Sequence, residues 1–228
     1  MARKTIKNIV VSFAVMCLFV LSSYNLTLAF KFDVSSLDAS SFDARSAGET
    51  SVALGLDSGW NFISIPIQPK DASINAVLKD IYTNVKIVWG YDNQNKQWLK
   101  YKPGAAGQNT LIKIDAGIGY WVYLESPADL MISGINDTDG VFLFTGWNLV
   151  GYVGNDDQAL NASYMASSLI NDWWTIMWNW EKGEWRLKAV DSNGLLSVPT
   201  IANLNRGRAY WIKIKSVADA VQWQQQGE

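Results

Sequence analysis

Gly59-Trp60-Asn61-Phe62-Ile63-Ser64 returns, 87 residues later, as Gly146-Trp147-Asn148-Leu149-Val150-Gly151. Self-similarity at such a distance marks a repeated structural unit. Working outward, Trp89 corresponds to Trp178 and Trp98 to Trp185. Thr110, Gly117, Tyr120 and Trp121 return as Thr200, Gly207, Tyr210 and Trp211 at an offset of 90. Ser126, Ala128 and Asp129 return as Ser216, Ala218 and Asp219 at the same offset. The drift between offsets is what small loop insertions produce. The chain therefore reads as two copies of one unit, residues 50–138 and 139–228.

Each copy divides into the same elements. A strand (Ser51 to Leu56; Val141 to Thr145) precedes the Gly-Trp-Asn strand (Trp60 to Ile67; Trp147 to Val153). A short helix follows. Ser73 is placed as an N-cap, with Ile74, Val77, Leu78 and Ile81 at helical spacing. In the second copy Asn161 caps, and Ala162, Met165, Ala166 and Leu169 fill the same places. A hairpin comes next: Lys86 to Tyr91 with Gln97 to Tyr101, and Thr175 to Trp180 with Glu184 to Ala189. The turn-rich Asp92-Asn93-Gln94-Asn95 and Glu181-Lys182-Gly183 join the two arms. A single helical turn is expected at Leu111 and Ile114, and at Ile201 and Leu204. Gly117 or Gly207 ends that turn, where a left-handed residue is often needed. Tyr120 to Leu124 with Leu130 to Ser133, and Tyr210 to Ile214 with Ala220 to Gln224, close each copy. The fold class is mainly β, a β-rich α+β arrangement of two small antiparallel, sandwich-like units with one short helix each. Gln224 to Gln226 read as a fraying tail.

The paired positions are Trp, Tyr, Gly, Asn and aliphatics, whereas charges mostly do not pair: Lys100 stands opposite Leu187, and Asp115 opposite Asn205. Shared aromatics without shared charges point to packing. A large aromatic buries about 150–250 Å², worth about 4–6 kcal/mol at about 25 cal/mol per Å² before entropy. Trp60, Trp89, Trp98, Trp121 and their partners are therefore expected in the cores. The tryptophans without a partner, Trp173, Trp174, Trp180 and Trp223, are the candidate binding residues. On an extended strand Trp174, Ile176, Trp178 and Trp180 share one face, read as core, and Trp173 shares the other. An exposed Trp173 either stacks on a sugar ring or seats a partner chain; otherwise it covers the junction between the copies.

The first residues read as an address. Arg3, Lys4 and Lys7 precede Ile9 to Leu21, an apolar-dominated run of 13 residues, and Thr27-Leu28-Ala29 supplies a cleavage site. This is the signal-peptide pattern, residues 1–29. A spanning helix needs roughly 20 apolar residues, and Ser22, Ser23 and Asn25 interrupt the run. No membrane span is expected in the mature chain. Residues 30–49 are rich in Ser, Asp and Ala and read as an arm or linker. The protein is thus expected outside the cytoplasm: secreted, at the cell surface or in a periplasm.

The composition excludes several chemistries. There is no histidine, and the single cysteine, Cys17, lies in the leader. A Ser/His/Asp triad, a thiol nucleophile and a Cys/His zinc site are all ruled out for the mature chain. No cofactor, metal site or catalytic residue is expected. Asp137-Thr138-Asp139-Gly140 lacks the remaining ligands of a calcium loop and reads as a turn. Without Arg3, Lys4 and Lys7 the balance is 16 basic against 21 acidic groups, a net of −5. With no basic stripe, nucleic acid is not an expected partner.

Gly59 to Pro66, Trp89…Trp98…Tyr101-Lys102-Pro103, Gly117-Ile118-Gly119-Tyr120-Trp121-Val122 and Gly146 to Tyr152 together resemble a tandem "GWNLIS…GYW" module. That module occurs in bacterial and archaeal secreted or cell-surface proteins, often at the end of longer chains. The resemblance covers roughly Ser51 to Gln224 and implies an accessory role with no activity attached. The second copy departs from the pattern at Arg208-Ala209 and Lys188-Ala189. The expected function is a non-catalytic extracellular or cell-surface module that binds a polysaccharide or a surface protein. The alternatives are a structural or assembly protein of the envelope or matrix, and a glycan-active enzyme using carboxylates alone.

Overall fold

In a computed structural model, residues 49–105, 107–136, 140–154, 156–161, 164, 172–190, 196–197 and 201–225 are described. The expected leader, most of the Ser/Asp-rich arm, the turn expected at Asp137–Asp139 and the helix expected at Ala162, Met165, Ala166 and Leu169 lie outside them.

The chain is mainly β. In the first half the strands are β1 (Thr50–Leu56), β2 (Gly59–Ser64), β3 (Gln68–Pro69), β4 (Val85–Asp92), β5 (Gln97–Tyr101), β6 (Gly119–Leu124) and β7 (Ala128–Ile135), with helix α1 (Ile74–Val77) before β4. In the second half they are β8 (Val141–Leu143), β9 (Gly146–Gly151), β10 (Gln158–Ala159), β11 (Trp174–Glu181), β12 (Glu184–Val190), β13 (Leu196–Ser197), β14 (Asn203–Leu204), β15 (Ala209–Ile214) and β16 (Val221–Trp223).

The main sheet of the first half runs β2-β6-β4-β5, and that of the second runs β9-β15-β11-β12 with β13 added outside. Their registers coincide. Gly59 pairs with Leu124 as Gly146 pairs with Ile214, Trp89 with Trp121 as Trp178 with Trp211, and Tyr91 with Trp98 as Trp180 with Trp185. All these pairings are antiparallel. A second layer covers each sheet: β1-β7-β3 in the first half, β16-β8 in the second.

The Gly-Trp-Asn motif has a local cause. Gly59 and Gly146 sit at φ of 85° and 86°, a left-handed conformation that costs a residue with a Cβ. The asparagine two residues on then ties the turn. Asn61 accepts from the Asp57 amide (2.9 Å) and donates to the Asp57 carbonyl (2.8 Å). Asn148 does the same with Phe144, at 2.8 and 2.7 Å. The tyrosine of each Gly-Tyr-Trp stretch is likewise used twice: the Tyr120 hydroxyl accepts from the Asp115 amide, and the Tyr210 hydroxyl from the Asn205 amide.

Each half has its own core. The first is built from aliphatics such as Ile65, Ile67, Leu78, Val88, Leu124 and Leu130. The second centres on Tyr152, Trp174, Met177, Leu204, Ile212 and Trp223. Ile74, Val77, Leu78 and Ile81 are all buried, as their spacing predicts. The Ser73 side chain makes no capping bond; Asp71 accepts from the Ser73 amide instead. In the second half the Asn161 side chain accepts from the Tyr164 amide at 2.9 Å.

Three expectations are corrected. The segments at Leu111–Ile114 and Ile201–Leu204 are extended rather than helical. Ser73 bridges to Lys113, and β14 pairs with β10, so their backbone bonds go sideways to a neighbour. Gln225 is not frayed: it is buried, donates to the Gly151 carbonyl and accepts from the Val153 amide, closing the second core. Third, Trp60, Trp98, Trp147 and Trp185 are exposed rather than in the cores.

Candidate functional site: a tryptophan face shared by two halves

The sheet faces alternate, and a bulge decides which side each ring takes. In β11 the pairing with β15 slips between Trp174 and Ile176, and in β4 the pairing with β6 slips between Val85 and Ile87. One extra residue on the strand inverts the alternation. Trp174 therefore falls on the side of Met177 and Asn179, all buried, while Ile176, Trp178 and Trp180 face the other way. Trp89 and Tyr91 follow the same rule in the first half, with Val85 and Val88 in the core.

The paired tryptophans thus lie opposite the cores rather than inside them. Trp60 is 46% exposed, Trp98 51%, Trp147 37% and Trp185 49%. Trp89, Trp121, Trp178 and Trp211 are half-buried beside them. Periodicity alone does not reveal this, because the core side is filled by aliphatics at the intervening positions.

Two backbone hydrogen bonds join the halves, and they are images of one another. Ser64 donates to the Gly207 carbonyl at 2.9 Å, and Gly151 donates to the Gly117 carbonyl at 2.8 Å. Single bridges flank them, Ile63 with Arg208 and Val150 with Ile118. Ser64 corresponds to Gly151 and Gly207 to Gly117, so the seam has the self-complementary pattern of a two-fold interface, here within one chain. Phe62, Leu149 and Ala209 pack in it with Tyr91, Trp121, Trp180 and Trp211. The Asn93 side chain makes a bond found on one side only, bridging the amide and carbonyl of Leu149 at 2.7 and 3.1 Å.

Because of this seam, each hairpin overhangs the tryptophan face of the other half. Trp98 meets Trp211 edge-on at 5.6 Å, and Trp185 meets Trp121 at 5.9 Å. Tyr91 meets Trp211 at 5.1 Å, and Trp180 meets Trp121 at 5.9 Å. Two grooves result. One, of about 670 Å³, is lined by Trp60, Trp89, Trp98, Trp121, Trp180 and Trp185. The other, of about 530 Å³, is lined by Trp147, Trp178, Trp185, Trp211, Trp98 and Tyr91. They correspond position by position, with Tyr91 standing in one where Trp180 stands in the other. Trp98 and Trp185 belong to both. Both volumes fall in the range of ligand sites.

Of the unpaired tryptophans, Trp180 alone enters the grooves. Trp174 and Trp223 are fully buried and serve the second core, so neither presents a surface to a ligand. Trp173 is 39% exposed but stands just before β11, at the end away from the hairpin tip, where its carbonyl accepts from the Lys215 amide. It neither joins the tryptophan face nor covers the seam. The tryptophans at corresponding positions of the two halves, expected in the cores, form the face instead.

Few charges adjoin the rings. Glu181, next to Trp180, is held by Arg208 at 2.8 Å and Arg186 at 3.3 Å. The Lys213 ammonium lies 5.8 Å from the Trp147 ring centre, in cation–π range. Among the described residues no group of three or more His, Cys, Asp or Glu side chains is placed to hold a metal, and no helix is long and apolar enough to cross a membrane. No protein-family model matches the chain, and no curated protein or solved structure is significantly similar to it.

Proposed function

We propose that the protein is an exported, non-catalytic module, two copies of one unit, that binds a polysaccharide chain along its tryptophan face. The observation that supports this is the pair of matched grooves walled by nine tryptophans and Tyr91. Adjoining exposed apolar rings of this kind mark a place where something docks. Indole rings offer large, rigid contact area at low conformational cost. Sugar rings present apolar C–H faces to them while their hydroxyls stay in water. Two equivalent grooves side by side suit a repeating polymer better than a single small molecule, since the second contact becomes intramolecular. The resemblance to surface-exposed tandem modules and the leader-like first residues agree with this reading.

The test is a titration of intrinsic tryptophan fluorescence with soluble polysaccharides. A saturable shift, weakened in Trp98→Ala with the fold retained, supports the reading. No response to any polysaccharide overturns it. Concentration-dependent self-association abolished by the same substitution would reassign the face to assembly between copies.

A further inference from the structure

We infer that the polysaccharide is acidic, a chain bearing uronic-acid carboxylates; this rests on the glycan-binding reading above. On the eight strands that carry the two tryptophan faces, and apart from the bulge residue Lys86, which is paired with Glu125, the ring-side positions among the described residues hold two ionisable side chains that are charged near neutrality, Lys100 and Lys213, and no carboxylate. In a chain with 21 acidic and 19 basic groups, that is a local inversion of sign.

Each lysine stands outside the groove walls but directly beside a tryptophan of a different groove. Lys100 lies directly across β4–β5 from Trp89, on the ring side of β5 with Trp98. Its neighbours Leu99 and Tyr101 turn to the core. Lys213 lies across β15–β9 from Trp147, between the buried Ile212 and Ile214. The two are not equivalent positions: Leu187 stands where Lys100 would repeat, and Tyr123 stands where Lys213 would. What the halves share is one positive charge beside a tryptophan wall, reached by different residues. On the hairpin rims Glu181 is paired with Arg208 and Arg186, and Asp92 accepts from the amide and side chain of Asn95. A neutral glycan gains only ordinary hydrogen bonds from these ammonium groups, whereas a carboxylate gains charge-assisted ones. A uronate stacks its ring on the indole and brings its carboxylate to the ammonium, and the absence of ring-side acids removes the repulsion it would otherwise meet.

The experiment compares polygalacturonate, alginate and hyaluronate with fully methyl-esterified polygalacturonate and with neutral dextran and galactan, followed by tryptophan fluorescence. At least one acidic polymer is expected to bind, and its affinity is expected to fall several-fold between about 50 mM and 500 mM salt, as screening shortens the reach of the lysines. Its methyl-esterified or neutral counterpart is expected to bind more weakly. Lys100→Gln with Lys213→Gln should weaken the acidic polymer about threefold to tenfold, two solvent-facing ion pairs' worth, and weaken a neutral polymer less. Equal, salt-insensitive binding of neutral and acidic polymers overturns the acidic assignment and leaves the glycan reading standing. Silence from every polymer overturns both.

Discussion

Gly119 faces Ala209 across the seam so closely that a Cβ built at Gly119 would lie 2.9 Å from the Ala209 Cβ and 2.7 Å from Leu149 Cδ1. The two residues occupy corresponding positions in the two halves, so the seam has space for one methyl group between them, not two. Gly119→Ala should therefore destabilise the fold by about 1–3 kcal/mol, the usual cost of overpacking. Adding Ala209→Gly should return part of the loss, with a coupling of about 0.5–3 kcal/mol, as expected for residues in direct contact. Urea denaturation of the two single variants and the double variant measures it; strict additivity would show that the two sites do not touch.

The two turn asparagines make the same hydrogen bonds in different surroundings. Asn148 is fully buried, whereas Asn61 is only partly so. Removing Asn148 leaves the Phe144 amide and carbonyl unpaired where water enters poorly, at a cost of about 1–3 kcal/mol. Removing Asn61 exposes the Asp57 groups to solvent that can replace the side chain. Asn148→Ala should accordingly cost more than Asn61→Ala in the same denaturation assay, and equal costs would contradict the burial difference.

The strands, the hairpins and the first helix were legible because each rests on local rules: alternation, turn residues and helical spacing. The side of the sheet taken by each tryptophan was not. That choice hangs on a single extra residue in β4 and in β11, and a bulge leaves no sequence signature where the extra residues are an ordinary Lys86 and Thr175. Strict alternation from Trp174 carried Trp178 into the core, and the structure carries it out. Trp173, conspicuous for lacking a partner, stands away from the face, while Trp98 and Trp185, whose repetition points to the cores, stand at its centre. The seam was also hidden. It depends on Ser64, Gly117, Gly151 and Gly207, small residues whose importance comes from what approaches them, which only the tertiary arrangement supplies.

The pH response should be flat across neutrality, because the chain has no histidine. Its edges are set by tyrosines and aspartates. Burial pushes the Tyr120 and Tyr210 hydroxyls above the usual tyrosine value of 10.0. A raised folded value means that stability is complete below about pH 10 and declines as pH rises beyond it, since the unfolded chain loses those protons first. At the other edge, the amide and side chain of Asn95 hold Asp92 below the carboxylate value of 3.8. Its contribution is present above that value and is lost as pH falls through the lower folded one. Thermal melting from pH 2 to pH 12 should give a plateau between about pH 5 and 9. A midpoint that moves steeply inside that window would contradict this account.

Trp98 and Trp185 line both grooves, whereas Trp60 lines one and Trp147 the other. A polymer that occupies both grooves should therefore lose more from either shared ring than from either private one. Trp98→Ala and Trp185→Ala each remove a half-exposed ring, so the fold should survive, as circular dichroism checks. Loss of a stacking ring at a recognition surface costs about 1–3 kcal/mol, or about fivefold to 150-fold in affinity. Trp60→Ala and Trp147→Ala should each cost less, because one complete groove remains and the polymer can still hold on through it. The same logic separates Tyr91 from Trp180, the one position where the grooves differ. Trp180→Tyr makes the two walls alike and should leave binding nearly unchanged, while Trp180→Ala opens the groove and should weaken it. Calorimetric titration of these six variants with one bound polysaccharide gives the ranking, and private rings that matter as much as shared ones would mean that the polymer uses only one groove.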